Sequence, residues 1–309
     1  TRTSFQLTRP GQANSDVTYS CSRPGSGIGR AAAERFAQLG ARVIVSDINE
    51  VAAEATVAAI RDAGGDSCAR RLDVTDVNEF EDFARWVQSE HGVCDVVVNN
   101  AGIGILGEVI DTTESDWDRI VGINLLGMVH GARLFAQQMV DANKPGHIVN
   151  VASAAAFLPM PNLASYSATK YAVKMFTDCI RGELAPNHIG ASVICPGPIM
   201  TNIFSSATHT GADEQEQVQR SALTGAAFEK IRSWHLIPGP QNVARAIESA
   251  VVYNRKTVLV RPEAYLVYLL RRLSPTLLYA FSNLIFGSRT ITFAYRLGKN
   301  PTVARLLGR

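Results

Sequence analysis

The sequence predicts a doubly wound α/β fold: a parallel sheet in three α/β/α layers, with a helical apolar C-terminal extension. Three observations carry that expectation. Short β-branched runs alternate with longer helical patterns from residue 25 to about 200, the order of repeated βα units. The runs are apolar at almost every position, which in a strand means burial on both faces. A chain of 309 residues, 46% hydrophobic, also has material for one large domain plus an appendage.

In chain order, strands are expected at 41–46 (ARVIVS), 68–72 (CARRL), 95–98 (DVVV), 147–151 (HIVNV), 191–195 (ASVIC) and 257–260 (TVLV). Between and after them, apolar residues at helical spacing mark 30–39, 50–63, 77–91, 113–140, 166–184 and 241–252. VTYSC, ahead of the first glycine cluster, is only weakly strand-like. Three units are expected: a divergent segment 1–21, a main domain 22–261, and an extension 262–309. Residues 199–240 are polar, include Gly211, Gly225 and Gly239, and run too long for a simple connection, so they read as a lid over a site.

Beyond Arg261 the composition turns to Leu, Tyr and Phe, with only Glu263 against Arg271, Arg272, Arg289, Arg296, Lys299, Arg305 and Arg309. A basic apolar segment broken by Pro275 can lie in a membrane interface without spanning it. Helices packed on the core or on a sister subunit explain it equally well, and both readings stay open.

Composition narrows the function classes. A formal net charge of +2 carries no global signature for nucleic acid or strongly acidic partners. Cys21, Cys68, Cys94, Cys179 and Cys195 lie far apart without a CxxC pair, and the histidines show no ligand spacing, so neither a disulfide framework nor a metal is expected. No apolar stretch reaches the roughly 20 residues of a spanning helix, and no signal peptide stands at the N-terminus. The expected location is cytoplasmic, with peripheral contact at the inner face of the membrane as the further expectation.

PGSGIGR places Gly25, Gly27 and Gly29 just before a helix, where bare backbone and helix N-terminal amides can approach a pyrophosphate. Alone the cluster is weak. Asp47 adds weight, because it ends the next strand about twenty residues on, where a carboxylate accepts both ribose hydroxyls of NAD and repels a 2'-phosphate. The competing reading makes Asp47 the cap of the following helix. The first reading gives a Rossmann-like dinucleotide domain with NAD as cofactor and NADP second.

With these strings the chain resembles the short-chain dehydrogenases/reductases over approximately residues 24 to 262. The matching motifs are GSGIG, LDV at 72–74, NNAG at 99–102, IN at 123–124, NVAS at 150–153, YSATK at 166–170 and PGPIMT at 196–201. The resemblance implies that Gly25, Gly27, Ile28 and Gly29 hold the cofactor and that Asp73 and Val74 flank the adenine. Asn99, Ala101 and Gly102 stabilise the sheet beside the cofactor, with Asn100, Ala101 and Gly102 among its binding residues. Pro196, Gly197, Ile199 and Thr201 embrace the nicotinamide end, and Tyr166 and Lys170 also contact the cofactor. The central and C-terminal strings, PEAYLVYLL included, resemble the reductase half of bacterial fusion proteins that carry an epoxide-hydrolase-type domain in front. The family also implies a homo-oligomer.

Tyr166 and Lys170, four apart on a helical pattern, share a face. A phenol titrating at roughly 10 is a poor proton shuttle at neutral pH, and an adjacent ammonium together with the positive nicotinamide of oxidised cofactor is expected to favour its phenolate. Through the resemblance, Ser153 holds the substrate oxygen, and Asn124 kinks its helix and keeps a water that links the lysine to solvent. Phe157, Leu158, Met160 and Pro161, beside the serine, suggest an apolar pocket wall or plain loop packing.

The expected function is an NAD(P)-dependent oxidoreductase that moves a hydride between the nicotinamide and a secondary alcohol or ketone, on an apolar substrate. The family pattern departs at one place: its first glycine is Arg23 here, and glycine is wanted there for a tight turn and close approach. That departure motivates the alternative, a catalytically impaired dinucleotide-binding or membrane-associated scaffold. An epimerase or dehydratase on the same fold is disfavoured, because no sizeable substrate domain follows the catalytic helix.

Overall fold

The computed structural model describes residues 18–23, 27–197, 203, 207–211 and 239–286. Its strands are β1 (Thr18–Ser22), β2 (Arg42–Asp47), β3 (Ser67–Arg71), β4 (Val96–Asn99), β5 (Ile105–Leu106), β6 (Gly146–Val151), β7 (Ile189–Pro196), β8 (Thr208–His209) and β9 (Thr257–Val260). The α-helices are α1 (Gly27–Gln38), α2 (Glu50–Asp62), α3 (Val77–His91), α4 (Glu114–Val121), α5 (Gly127–Asp141), α6 (Ala164–Leu184), α7 (Gln241–Val252), α8 (Pro262–Leu273) and α9 (Pro275–Phe286).

Seven parallel strands form the main sheet in the order β3-β2-β1-β4-β6-β7-β9, and β5 pairs with β8 in a small second sheet. The chain works outward from β1 in one direction and from β4 in the other. The crevice outside their carboxyl ends is therefore the switch point where ligands of this architecture sit. Alternation inside the strands explains their apolar run. Val43 and Val45 face α1, α2 and α7, while Ile44 faces α3, α5 and α6; Val96 and Val98 against Val97 repeat the division. Each face buries its own set, so neither can be polar.

The expected strands are all present, with ends shifted by a residue or two. Two departures matter. β1, weak by composition, is a central strand paired with β2 and β4, and the boundary expected at residue 22 falls inside it. Thr18 is satisfied by neighbours, its N–H donating to Asp95 Oδ2 at 2.9 Å and its hydroxyl to His91 O at 3.2 Å, and the Tyr19 ring stacks on Phe36 with centroids 4.3 Å apart. Tertiary pairing has overridden propensity.

The single helix expected at 113–140 is instead α4, a π-helical turn at Gly122–Leu126, and α5. Such turns add a residue to a helix and recur at functional sites. Here the turn carries Asn124 into the interior, where it is almost fully buried. Asp47 is not the cap of α2: Asn49 is, accepting from Ala52 N, while Asp47 Oδ1 accepts from Asn49 N at 3.0 Å.

The extension's α8 and α9 pack on the core through Ala264, Val267, Leu278 and Ser282. Among the described residues no helix is long and apolar enough to cross a membrane. Of the expected lid at 199–240, most residues lie outside those described, as do 1–17 and 287–309.

Candidate active site

The switch point is laced shut at its base. Ser22 Oγ, at the end of β1, accepts from Asn100 N and Ala101 N at 3.0 and 3.1 Å, and Asn100 Nδ2 donates to the carbonyls of Ser22 and Arg23, both at 3.2 Å. Beneath them Asn99 Nδ2 donates to Asn150 Oδ1 at 2.8 Å, and Asn150 Nδ2 donates to Thr177 Oγ1. The NNAG string thus ties β1, β4 and β6 together by side chains where the backbone ladders end.

Above this lacing a cleft of about 840 Å³ is lined by Arg23, Asp47, Asp73, Val74, Ala101 and Arg119, among others. Gly29 packs so tightly that a Cβ there would lie 2.5 Å from the Arg23 carbonyl oxygen, so only glycine lets α1 start this close to β1. Gly27, at a φ of 61°, opens that helix.

A second cavity adjoins on the other side of β4. Ile28, Asn100, Gly102, Ser153, Tyr166, Lys170, Pro196, Gly197 and Ile203 line it. Ser153 follows β6 in extended conformation, and its Oγ accepts from Ala155 N at 3.1 Å while it shares a cavity with the Tyr166 phenol. Asn124 closes the back wall. Its Oδ1 accepts from Ile103 N at 2.7 Å, and its Nδ2 donates to Ile103 O and Thr169 Oγ1 at 3.0 and 3.2 Å. Lys170 Nζ and Asn124 Oδ1 both approach Gly102, where a Cβ would meet them at 3.2 and 3.3 Å.

Burial dominates the electrostatics of the tyrosine and the lysine. The Lys170 ammonium donates to Val151 O at 3.0 Å and stands 5.8 Å from the Tyr166 ring centroid, rather than bonding the phenol. Burial raises the phenol to about 12, the Ser153 hydroxyl opposing. Burial, reinforced by the charge on Arg23, lowers Lys170 to about 8, against a small opposing effect of Cys195.

The structure brings together Ile28, Gly29, Asn100, Gly102, Asn124, Ser153, Tyr166, Lys170, Pro196 and Gly197 around the second cavity and its floor, and Asp47, Asp73, Val74 and Ala101 around the first, with Gly27 at the start of α1. Gly25, Ile199 and Thr201 lie outside the described residues. The supposed pocket wall divides: Phe157 and Leu158 turn away to pack with Val267, Tyr268 and Leu278 of the extension, and Pro161 is exposed, whereas Met160 joins the cluster around Tyr166 with Ile105, Trp117, Leu163 and Ile203. Arg119 and Ile203 escaped the sequence reading, since neither sits in a motif; Thr169 lies inside YSATK and could have been weighed.

A family model described as short chain dehydrogenase matches residues 24–212. The chain is 41% identical over 281 residues to the probable oxidoreductase EphD of Mycobacterium tuberculosis, a match covering 90% of this chain and 47% of that protein, so it spans about half the length of that relative. It is 33% identical over 242 residues to the cyclopentanol dehydrogenase of Comamonas testosteroni, covering 78% of this chain and 88% of that one. The crystal structure of a short chain dehydrogenase/reductase from Burkholderia phymatum in complex with NAD is similar with a TM-score of 0.76 at 28% identity, over 87% of this chain and 96% of that chain.

Proposed function

This chain belongs to the short-chain dehydrogenase family, and we propose that it is an oxidoreductase that uses NAD to interconvert an apolar secondary alcohol and its ketone. The single observation that carries this reading is the convergence of Ser153, Tyr166 and Lys170 on one cavity that adjoins a dinucleotide-sized cleft. When bound, the nicotinamide cofactor supplies the hydride chemistry.

The residues present fit such a cofactor. Gly29 leaves no room for a side chain beneath the cleft, and Asp47, at the end of β2, offers a carboxylate to ribose hydroxyls at its far end. In this reading Tyr166 gives the substrate oxygen its proton during reduction and takes it during oxidation. Ser153 holds that oxygen by a hydrogen bond that strengthens as negative charge develops. Lys170 supplies positive charge beside both, and Asn124 is a positioning residue that keeps the 103 segment and α6 in place. Met160, Trp117, Leu163 and Ile203 near the phenol favour an apolar substrate.

Turnover by the full chain of a panel of cyclic and linear secondary alcohols and ketones, followed by absorbance of reduced NAD and NADP, tests this reading. Activity is expected with NAD on apolar members. Calorimetric binding of NAD without turnover across the panel would replace it with the scaffold reading.

A peripheral membrane contact also has support. Leu266, Leu269, Leu273, Leu277, Tyr279 and Leu284 are exposed on α8 and α9 beside exposed Arg271 and Arg272, while Glu263 is engaged by Arg261. Apolar surface flanked by unopposed cations matches an anionic lipid interface. The full chain should float with liposomes containing phosphatidylglycerol more than with neutral ones, and Leu269→Glu with Leu273→Glu should abolish the difference. Equal flotation of both forms removes the idea.

A further inference from the structure

Arg23 stands where a glycine is expected, and the backbone has kept the glycine's conformation. Its φ is 55°, in the left-handed region that a side chain occupies at a cost. The turn is held regardless: Arg23 N–H donates to Ser46 O at 2.7 Å, and its carbonyl accepts from Asn100 Nδ2. The side chain is therefore launched from a fixed point into the cleft that Asp47, Asp73 and Arg119 also line. Its guanidinium makes no hydrogen bond or direct ion pair among the described residues. It is largely buried, and its charge is felt by Asp47 in the same cleft and by Lys170 in the adjoining cavity.

An unpaired cation in a part-buried groove is costly unless an anion completes it. The groove's expected ligand carries its negative charge in the middle, between two riboses, and a guanidinium matches phosphate oxygens in a fork geometry. We propose that Arg23 is a cofactor-binding residue whose guanidinium pairs with the pyrophosphate of the dinucleotide, replacing part of the backbone approach that a glycine would have allowed. This inference rests on the nicotinamide reading above. It converts an apparent defect of the motif into a charge-assisted contact, and it makes cofactor affinity unusually sensitive to salt.

Calorimetric titration of the full chain with NAD, ADP-ribose and adenosine, at low and high salt, tests it. Arg23→Gln should weaken NAD and ADP-ribose by about tenfold or more, leave adenosine unchanged, and flatten the salt dependence. Arg23→Lys should recover much of the loss. Arg23→Gly should also weaken both phosphate-bearing ligands, although it relaxes the strained turn and so raises the melting temperature. Tighter or equal NAD binding by the Gln or Gly variant would show the arginine to be an obstruction and overturn the inference. So would a parallel loss of adenosine, which carries no phosphate. Failure of the unmodified chain to bind any of the three overturns the inference together with the nicotinamide reading; retained NAD binding with an inert Arg23→Gln overturns the inference alone.

Discussion

Replacing Tyr166 by phenylalanine is expected to lower turnover by roughly 10²–10⁴-fold, the range of a lost general acid/base, while leaving the fold intact. The ring is buried among Ile105, Ile120, Ala155 and Leu163, and phenylalanine retains those contacts. The hydroxyl alone is lost from the cavity it shares with Ser153 and Lys170. The pH profile separates this role from a packing role. With the phenol near 12, its ionised fraction at neutral pH is small and grows about tenfold per unit. Alcohol oxidation by the unmodified chain should therefore rise with pH where proton removal limits the rate, and the residual activity of Tyr166→Phe should lack that rise. A variant within about threefold of the parent, with an unchanged profile, would remove Tyr166 from the chemistry.

The same residues show what sequence reading reaches. Tyr166 and Lys170 are legible because a helix of period 3.6 puts positions four apart on one face, and α6 does so. Strands β2, β4, β6, β7 and β9 are legible because burial on two faces forces an apolar run. β1 is not: Thr18 and Ser22 of TYSCS are hydrogen-bonded to Asp95, His91 and the β4 end, partners between 73 and 79 positions away in the chain. Long-range pairing of this kind leaves no local period to detect.

Geometry inside the site is hidden for a related reason. Spacing says that the lysine and tyrosine are neighbours, but only packing decides that the amine turns to the Val151 carbonyl and that burial dominates the phenol. The same applies to Phe157 and Leu158. Their position beside Ser153 suggests a pocket wall, yet the extension offers them Tyr268, whose ring meets Phe157 edge-on at 5.1 Å, and they bury there instead. The π-helical turn at Asn124 is likewise invisible to a 3.6 period, because it spoils that period by one residue.

Lys170→Met is expected to move activity and stability in opposite directions. The amine is 3% exposed, and burial with the nearby Arg23 charge lowers it from 10.5 to about 8. A lysine whose folded value lies below its unfolded one opposes folding while protonated. The penalty is full and constant below about pH 8, on the order of 3 kcal/mol, and fades as pH climbs toward 10.5, because the unfolded chain binds more protons across that window. Methionine removes the penalty at similar volume. It also leaves the Val151 carbonyl without the Lys170 donor, which returns about 1–2 kcal/mol. The net gain at pH 7 is about 1–2 kcal/mol, a rise of a few degrees in melting temperature for a domain of this size, whereas turnover should fall by about 10²-fold or more with the cation gone from beside the reacting oxygen. Melting curves of both proteins from pH 7 to 10.5 check the sign, because the variant's advantage should shrink as the parent's lysine loses its proton. A variant less stable than its parent at pH 7 would mean that the ammonium supports the fold, and that the site does not hold a destabilising charge in reserve for its chemistry.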